Sequence, residues 1–340
     1  MRQVVIPRHG RPDVLEVREA PDPTPGEGEV RIAVRTAGVN FADVLARMGL
    51  YPDAPKPPVV VGYEVAGVVD LVGAGVTRVH PGDRVMALTR FGGYATRVVA
   101  PAGLVFPVPD GVSDAEAAAL PVNYLTALVA LYKIANVAAG ETVLIHGAAG
   151  GVGIAATQLA HLRRATIIGT ASAAKHDALR AFGVRHAIDY RVADVAREVM
   201  AFTEGRGVDV VLDPIGGRSF ATSYRLLAPL GRLVLYGVSA VAPGERRNWW
   251  QVARAVIAMP AFRPLSLMAH NRGVFGLNLG HLWGEQRQLG AGMQMLLQEL
   301  ESGRLRPVIA KTFPLERADE AHRFLQSRVS VGKVVLTCND

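Results

Sequence analysis

The sequence predicts an α/β protein of two domains, a partly open β-barrel and a doubly wound parallel sheet. Its 340 residues, half of them hydrophobic, suffice for two cores, since a domain usually holds about 100 to 200 residues. Short apolar runs broken by glycine and proline fill the first 120 residues, which is typical of a barrel of short strands. Beyond them, apolar strands alternate with helical periodicity, which is typical of a parallel sheet covered on both faces.

The barrel strands are expected in four apolar runs: Glu29 to Thr36, Val59 to Val72, Asp83 to Leu88 and Gly93 to Val99. Ser113 and Glu116 then form a capping-box pattern ahead of an alanine-rich helix. A last strand, Gly332 to Thr337, is rich in β-branched residues and is expected to rejoin the barrel. We therefore place residues 1–122 and 282–340 in the barrel domain and residues 123–281 in the sheet domain.

The sheet domain is predicted from four strand-like runs: Thr142 to His146, Thr166 to Thr170, Asp209 to Asp213 and Arg232 to Tyr236. A helix from Gly153 to Leu162 joins the first two runs. Repeated strand–helix units of this kind predict a parallel sheet that binds its ligand at the carboxyl ends of its strands.

Charge and cysteine content narrow the class of protein. The formal charge of +7 fits nucleic acid, an anionic membrane or cofactor phosphates. The basic residues are scattered, without the aromatic-interleaved stripe of a nucleic-acid binder, so we expect no nucleic-acid partner.

The only cysteine, Cys338, excludes an intrachain disulfide and a cysteine-based metal site. With no signal-peptide pattern after Met1, a cytoplasmic location is expected.

A glycine-rich turn follows the first strand of the sheet domain and precedes its helix. It reads Gly147-Ala148-Ala149-Gly150-Gly151-Val152-Gly153. In this context Gly150 lets a pyrophosphate approach the backbone, and Gly153 lets the helix pack closely on its strand. The predicted cofactor-binding residues here are Ala149, Gly150, Gly151, Val152 and Gly153, at a helix amino terminus that attracts anions.

The end of the second strand indicates which dinucleotide binds. An NAD enzyme usually places an acid there to hold the ribose 2′-hydroxyl, but this chain has Ala171. Ser172 and Lys175 follow and are suited to a 2′-phosphate, so NADP(H) is the predicted cofactor. Tyr190 ends the next strand-like run and either contacts the phosphate or adenine or packs at the edge of the core.

With these residues in view, the chain resembles the medium-chain dehydrogenase/reductase superfamily, and within it the zinc-independent quinone oxidoreductase and zeta-crystallin branch. The matching segments are Ala37 to Asp43, Val61 to Gly67, Gly82 to Val85, Gly147 to Gly153, Gly169 to Lys175 and Gly332 to Leu336. Asn248-Trp249-Trp250 and the apolar run after it also resemble the vesicle-protein branch of the same superfamily.

The resemblance implies a GroES-like catalytic domain, a Rossmann domain, a cleft between them and usually a homodimer. It also implies a set of further cofactor contacts: Thr126, Tyr236, Gly237, Val238, Ser239, Phe275, Gly276, Leu277, Asn278 and Lys333. The strand Val274 to Asn278 is, in addition, where partner sheets of the family commonly join.

No metal is expected. Zinc members of the superfamily supply a cysteine, the histidine of Gly-His-Glu and a second cysteine to the catalytic ion. The corresponding segments here are Gly38-Val39-Asn40, Gly62-Tyr63-Glu64 and Leu120-Pro121-Val122-Asn123. None of these segments contains a cysteine or a histidine.

Three residues are candidates for catalysis. Asn40 corresponds to an asparagine that the quinone-reductase branch uses near nicotinamide and substrate. Tyr63 replaces the zinc-ligating histidine and either hydrogen-bonds a substrate carbonyl or only packs. Asp43 either orients Asn40 or only caps a helix. Many quinone reductases carry a tyrosine at the position of Leu45, and this departure weighs against a tyrosine-assisted mechanism and leaves solvent as a proton source.

Together these features predict an NADPH-dependent, zinc-free enzyme that reduces quinones or α,β-unsaturated carbonyls, because such acceptors take hydride without a Lewis acid. The alternative is a nucleotide-binding, lipid- or membrane-associated protein with little catalysis.

The long apolar stretch Trp249 to Met268 contains Arg254 and Arg263, which weighs against a membrane span. It is a pocket lid, a dimer contact or a membrane contact.

Overall fold

The computed structural model describes residues 1–338, and the chain folds into two compact units. The barrel unit comprises Met1–Leu125, Gly244–Arg247 and the chain from Gly280 onward, and the sheet unit comprises Thr126–Pro243 and Asn248–Leu279. The short segment Gly244–Arg247 lies within the span that the sequence assigned to the sheet domain.

The strands, in chain order, are β1 (Arg2–Val5), β2 (Glu16–Glu19), β3 (Glu29–Val39), β4 (Glu64–Val72), β5 (Arg84–Leu88), β6 (Arg97–Pro101), β7 (Val105–Pro107), β8 (Thr142–Ile145), β9 (Thr166–Thr170), β10 (His186–Ile188), β11 (Val208–Asp213), β12 (Leu227–Leu235), β13 (Gly273–Gly276), β14 (Ile309–Pro314) and β15 (Lys333–Thr337). The α-helices are α1 (Phe41–Met48), α2 (Asp114–Ala119), α3 (Pro121–Leu128), α4 (Gly151–Leu162), α5 (His176–Ala181), α6 (Val195–Phe202), α7 (Arg218–Arg225), α8 (Trp249–Ile257), α9 (Pro264–His270), α10 (Gln286–Glu301) and α11 (Ala318–Gln326).

The barrel unit is built on a seven-stranded sheet of order β14-β15-β3-β4-β5-β7, with β6 paired to β3. Every pair in it is antiparallel except β14 with β15. Valine and isoleucine on the inner faces of these strands form one core, including Ile32, Val65 and Val85. The C-terminal strand β15 pairs with β3, so it rejoins the barrel as the sequence predicted.

The helices of the barrel unit begin where side chains can satisfy free backbone N–H groups. At α2 the predicted capping box is confirmed, because Ser113 Oγ accepts the N–H of Glu116 at 3.2 Å and the Glu116 carboxylate accepts that of Ser113 at 3.1 Å. At α1, Asn40 is the N-cap and Asp43 accepts its N–H at 2.7 Å. Both residues of this second cap, Asn40 and Asp43, are candidates for catalysis.

The sheet unit contains one parallel sheet of order β10-β9-β8-β11-β12-β13. Counted from β8, this is the order 3-2-1-4-5-6 of a Rossmann domain. Its central strands are buried on both faces; all six residues of β11 are buried, which explains their nearly continuous apolar sequence. The carboxyl ends of the strands share one edge of the sheet, and β8 leads there into the glycine-rich turn.

The apolar stretch from Trp249 forms two short helices: α8 ends before Pro260, and α9 begins with Pro264. Neither helix has a buried residue. Within the described part of the chain, no helix combines the length and apolar character needed to cross a bilayer.

Candidate active site

The amino terminus of α1 carries two of the predicted catalytic residues. Asp43 is fully buried, and its carboxylate accepts the backbone N–H groups of Asn40 at 2.7 Å and Gly62 at 2.9 Å. Asp43 therefore caps the helix and also holds the turn before Tyr63. Burial raises the pKa of Asp43 to about 7, although these hydrogen bonds and the nearby Lys333 act in the opposite direction.

The side chain of Asn40 belongs to a buried ionic cluster. Its Nδ2 donates to Glu64 Oε1 at 3.0 Å, and its Oδ1 accepts from Lys333 Nζ at 2.6 Å. Lys333 and Glu64 are ion-paired and buried, and Glu64 Oε2 accepts the Val122 N–H at 2.7 Å. A Cβ on Gly38 would lie 2.6 Å from the Glu64 side chain, so a glycine is required here.

Tyr63 lies in an aromatic cluster and is 6% exposed. Its ring is 6.1 Å from that of Tyr51 and 5.4 Å from that of Phe91, measured between centroids. Its hydroxyl is buried without a hydrogen-bond partner among the described residues. Burial raises the pKa of Tyr63, so the phenol keeps its proton and is a hydrogen-bond donor.

The structure adds two residues that the sequence did not indicate. Tyr94 is fully buried and donates to Asp43 Oδ2 at 3.2 Å, and its oxygen lies 3.2 Å from His322 Nε2. Burial lowers the pKa of His322 well below its ordinary value, so the imidazole is neutral. Tyr94 is 51 positions from Asp43 and 228 positions from His322 along the chain. No local pattern could have paired them.

In the sheet unit, the glycine-rich turn has the conformation that its sequence predicts. Gly147 has a φ of +64°, in the left-handed region that favours glycine. A Cβ on Gly153 would lie 2.4 Å from the Gly147 carbonyl oxygen, so helix and turn are in close contact. Gly150 is the N-cap of α4 and supplies no side-chain cap, which leaves the first N–H groups of the helix for an anion.

The end of β9 holds the residues predicted to select the cofactor. Ala171 and Ser172 are buried, while Lys175 is partly buried in a single 3-10 turn after the strand. Burial lowers the pKa of Lys175, and the nearby cation Arg191 lowers it further. Arg191 follows β10 and was missed in the sequence, because only the pairing of β10 with β9 brings the two cations together.

A carboxylate also lies at this edge. Asp189 accepts the N–H groups of Ala173 and Arg191, each at 2.9 Å, and these bonds lower its pKa. Both of its oxygens therefore bind backbone, and Asp189 joins the loops that carry Lys175 and Arg191.

The other predicted cofactor residues fall at several places. Tyr190, 42% exposed, follows β10; the segment Tyr236 to Ser239 follows β12; and Phe275 to Asn278 covers the end of β13 and the residues after it. Thr126 is buried in α3. Lys333 lies in the barrel unit, where Glu64 and Asn40 engage its ammonium group, and its contact with the cofactor stays a prediction.

Fold and site together define an oxidoreductase with a GroES-like domain and a Rossmann domain. Residues 26–110 match the family described as alcohol dehydrogenase GroES-like domain, and residues 182–336 match the family described as zinc-binding dehydrogenase. The chain belongs to the medium-chain dehydrogenase/reductase family.

Individual relatives extend over nearly the whole chain. The human synaptic vesicle membrane protein VAT-1 homolog is 42% identical over 323 residues, which cover 95% of this chain and 82% of the human protein. A mycobacterial protein solved in complex with NADPH superposes with a TM-score of 0.88 at 32% identity, covering 99% of this chain and 100% of the other. A quinone oxidoreductase of Pseudomonas syringae gives a TM-score of 0.86 at 32% identity, with 99% of each chain covered.

The second family is named for zinc, but this chain lacks cysteine and histidine in the segments where zinc members of the superfamily have their catalytic ligands. The corresponding segments here are Gly38 to Asn40, Gly62 to Glu64 and Leu120 to Asn123. Asn40 is already bound to Glu64 and Lys333. Among residues 1–338, no three His, Cys, Asp or Glu side chains are grouped to hold a metal ion.

Proposed function

We propose that the protein is an NADPH-dependent reductase that transfers hydride to quinones or α,β-unsaturated carbonyls without zinc. The observation that carries this proposal is the pair of cations, Lys175 and Arg191, at the carboxyl ends of β9 and β10. Two neighbouring cations with no acid at Ala171 suit the 2′-phosphate that distinguishes NADPH from NADH.

The electrostatics of this pair favour an anionic ligand. Burial and Arg191 both lower the pKa of Lys175, so each acts against the charged amine. A bound phosphate would relieve the repulsion between the two cations, and its oxygens accept charge-assisted hydrogen bonds. Asp189, a carboxylate on these loops, accepts two backbone N–H groups and also attracts Arg191.

The glycine-rich turn would bind the pyrophosphate of the cofactor. The uncapped N–H groups at the start of α4 suit a pyrophosphate, and the helix dipole adds a partial positive charge. A Cβ placed on Gly150 would meet only the Gly147 oxygen, at 3.4 Å, so the approach to this backbone is open. NADPH would supply the hydride that the reaction requires.

The barrel unit would orient the acceptor. An amide nitrogen carries two hydrogens, and Asn40 Nδ2 donates one to Glu64, which leaves the other for a substrate oxygen. The Tyr63 phenol keeps its proton and is a second donor. With no cysteine or histidine at the zinc positions, the acceptor must be activated by its own conjugation, and the proton that completes the reduction comes from solvent.

The test is an NADPH-oxidation assay with 1,2-naphthoquinone, 9,10-phenanthrenequinone, enones and enals, run with NADH in parallel. We expect a preference for NADPH that Lys175→Ala and Arg191→Ala each reduce by about tenfold through KM for NADPH, as loss of one charge-assisted hydrogen bond implies. KM for NADH should stay unchanged. Arg180→Ala, which removes an exposed cation from α5, is the matched control.

Two outcomes would overturn the proposal. A preference for NADH would contradict the assignment of Lys175 and Arg191. Binding of NADPH with no oxidation across the quinone and enone panel would refute the reductase itself.

A second candidate function is association with an anionic membrane. It rests on the apolar surface of α8 and α9, where Trp250 is 87% exposed, Ile257 83% and Leu265 80%. Arg254 and Arg263 lie in the same stretch. Exposed tryptophan and aliphatic side chains beside arginines suit the interface of an anionic bilayer.

Vesicle pelleting at two salt concentrations tests this candidate. If it is correct, vesicles containing phosphatidylserine will pellet the protein, high salt will weaken binding, and Trp250→Ser will abolish most of it. Val192→Ser is the matched control, since Val192 is 86% exposed elsewhere on the sheet unit. Absence of pelleting at low salt would eliminate the membrane candidate.

A further inference from the structure

A chain of buried polar groups lies under the glycine-rich turn, at the carboxyl ends of three neighbouring strands. His146 follows β8, Thr170 ends β9 and Asp213 ends β11, while Ser223 projects from α7. All four side chains are at most 7% exposed. Because burial makes an unsatisfied polar group costly, their hydrogen bonds must be mutually consistent.

The distances connect these groups into one path. His146 Nδ1 lies 3.3 Å from Thr170 Oγ1, and His146 Nε2 lies 3.1 Å from Ser223 Oγ. Ser223 Oγ donates to Asp213 Oδ2 at 2.7 Å. At the other end, the backbone N–H of Gly147 donates to Thr170 Oγ1 at 3.2 Å. The path therefore runs from the first glycine of the turn to a buried carboxylate.

The chemistry of the groups gives this path a direction. The Asp213 carboxylate also accepts Ser219 Oγ at 2.6 Å and the Ile215 N–H at 2.7 Å, and as a carboxylate it only accepts. Ser223 must then donate to Asp213 and accept from His146, which places the imidazole proton on Nε2. His146 Nδ1 is left to accept the Thr170 hydroxyl, whose oxygen accepts from Gly147.

The protonation state of His146 agrees with this direction. Burial lowers its pKa, and Asp213 is the charged group that opposes the shift. The other titratable group near this carboxylate, Tyr236, has a pKa raised by burial and by Asp213, so it is a neutral phenol. A neutral imidazole with its proton on Nε2 is the one form that satisfies both neighbours.

We propose that His146 is a positioning residue for the cofactor-binding turn: held in its Nε2–H tautomer by Ser223 and Asp213, it orients the Thr170 hydroxyl and so fixes the Gly147 N–H. This inference rests on the proposed function, because the turn is assigned to the NADPH pyrophosphate. Thr170 also holds the turn through its carbonyl, which accepts the Ala148 N–H at 3.1 Å. The strand end thus fixes two successive peptide units of the turn.

Substitutions at His146 separate the two ends of the path. His146→Asn keeps an acceptor near the Nδ1 position, His146→Gln keeps a donor near the Nε2 position, and His146→Leu keeps neither. Thr170→Val breaks the same path from the other side with nearly unchanged shape. We expect NADPH to bind about tenfold more weakly to the His146→Leu, His146→Gln and Thr170→Val variants, and within about threefold of wild type to His146→Asn.

The double variant His146→Leu/Thr170→Val gives the sharpest comparison. If both residues act through one path, its NADPH dissociation constant will match that of Thr170→Val alone, whereas independent contributions would multiply. A product of the two single effects would overturn the inference. So would equal losses in the Asn and Leu variants, since the acceptor at Nδ1 would then be irrelevant.

Measurements without nucleotide keep this inference distinct from the proposed function. Amide hydrogen exchange of residues 146–153 in the free protein should accelerate about tenfold in His146→Gln and Thr170→Val. The imidazole nitrogen shifts should report an Nε2–H tautomer whose pKa lies below the ordinary 6.5. Unchanged exchange or an Nδ1–H tautomer would refute the path even if NADPH binds. Failure of the wild-type protein to bind NADPH would refute the proposed function and leave the exchange result to decide the path.

Discussion

Tyr63 and Tyr94 are two buried tyrosines of the barrel unit with opposite hydrogen-bonding states. Tyr94 donates to Asp43, whereas the Tyr63 hydroxyl has no partner in the described part of the chain. A buried hydroxyl without a partner costs roughly 1 to 3 kcal/mol, and such a cost is commonly retained where a ligand supplies the missing partner. The phenol of Tyr63 is therefore the better candidate for substrate contact.

Replacing each tyrosine by phenylalanine separates these roles. Tyr63→Phe should leave the free energy of unfolding unchanged or raise it by up to about 1 kcal/mol, because it removes an unsatisfied polar group. It should also lower kcat/KM for a carbonyl acceptor by about 10- to 100-fold if the phenol donates to the substrate. Tyr94→Phe should instead lower stability. Urea unfolding and steady-state kinetics measure both; unchanged kcat/KM in Tyr63→Phe would leave Tyr63 a packing residue.

At the cofactor end, sequence reasoning reached Lys175 but missed Arg191. Lys175 follows the second strand of the sheet domain, where the usual spacing from the glycine-rich turn indicates the residues that select the cofactor. Arg191 belongs to the following strand–helix connection, and only the parallel pairing of β9 with β10 brings it near Lys175. The same holds for Asp189, whose carboxylate accepts the Ala173 N–H across sixteen residues.

In the turn between β8 and α4, Gly153 and Gly150 serve different purposes: Gly153 allows close packing, and Gly150 leaves the backbone accessible to a ligand. At Gly153 a methyl group would overlap the Gly147 oxygen, at 2.4 Å, and the Ala148 Cα, at 2.6 Å. At Gly150 the backbone is extended and the added methyl would meet only the Gly147 oxygen at 3.4 Å. Packing therefore requires glycine at position 153. At position 150 packing would tolerate a methyl group.

Two alanine substitutions should therefore differ in what they damage. Gly153→Ala should lower the free energy of unfolding by roughly 1 to 3 kcal/mol through overpacking. Gly150→Ala should cost about 1 kcal/mol or less, yet weaken NADPH binding strongly, because its methyl group lies where the pyrophosphate approaches. Thermal unfolding and NADPH fluorescence titration would show this; equal stability losses would contradict the distinction.

The outer strand β13 has only β12 as a neighbour in the described sheet, and Phe275 on it is 47% exposed. An open edge with an exposed aromatic residue is a template for pairing with another strand. We propose that a second copy of this chain pairs there, giving a homodimer.

A charge at this edge should prevent the pairing. Phe275→Lys is expected to convert a dimer into a monomer at micromolar concentration, since an edge lysine opposes strand addition. Val192→Lys, at an exposed site elsewhere on the sheet unit, should remain dimeric. Light scattering after size exclusion gives the mass directly. A monomeric wild-type protein, or an unaffected Phe275→Lys variant, would rule out this interface.

For the whole molecule, buried titratable groups make stability depend on pH in opposite directions. Burial lowers the pKa of His146 and of His322 from the ordinary 6.5, so the unfolded chain binds more protons there and stability falls as the pH drops below about 6.5. Burial raises the pKa of Asp43 from 3.8 to about 7. The stability that Asp43 contributes is fully present below its pKa in the unfolded chain, 3.8, and is lost as the pH rises through about 7.

These three groups predict a stability maximum near pH 6.5 to 7. On the acid side the two histidines oppose the one carboxyl, so stability should fall as the pH drops below about 6.5. His322→Gln should flatten that slope and Asp43→Asn should steepen it. Urea unfolding between about pH 5 and 8 measures the slopes. Stability that rises steadily toward pH 5 would contradict the assignment of the neutral histidines.

Much of this architecture was determined by the sequence alone. Short apolar runs between helical segments predicted strands such as Thr166–Thr170, which the structure reproduces residue for residue, and the capping box at Ser113 is confirmed. The glycine-rich turn indicated a dinucleotide fold, and the lack of cysteine and histidine at the zinc positions is a property of composition. All of these are local patterns, set by backbone geometry within a few residues.

Only the tertiary structure decided which polar groups meet. Lys333 and Glu64 are 269 residues apart, and they form the ion pair that holds Asn40. The path from Gly147 to Asp213 joins three strand ends and a helix. Such contacts depend on the order and register of strands across each sheet, and sequence spacing alone does not encode either. The glycine turn could therefore be read from the sequence, whereas the buried groups that hold it required the fold.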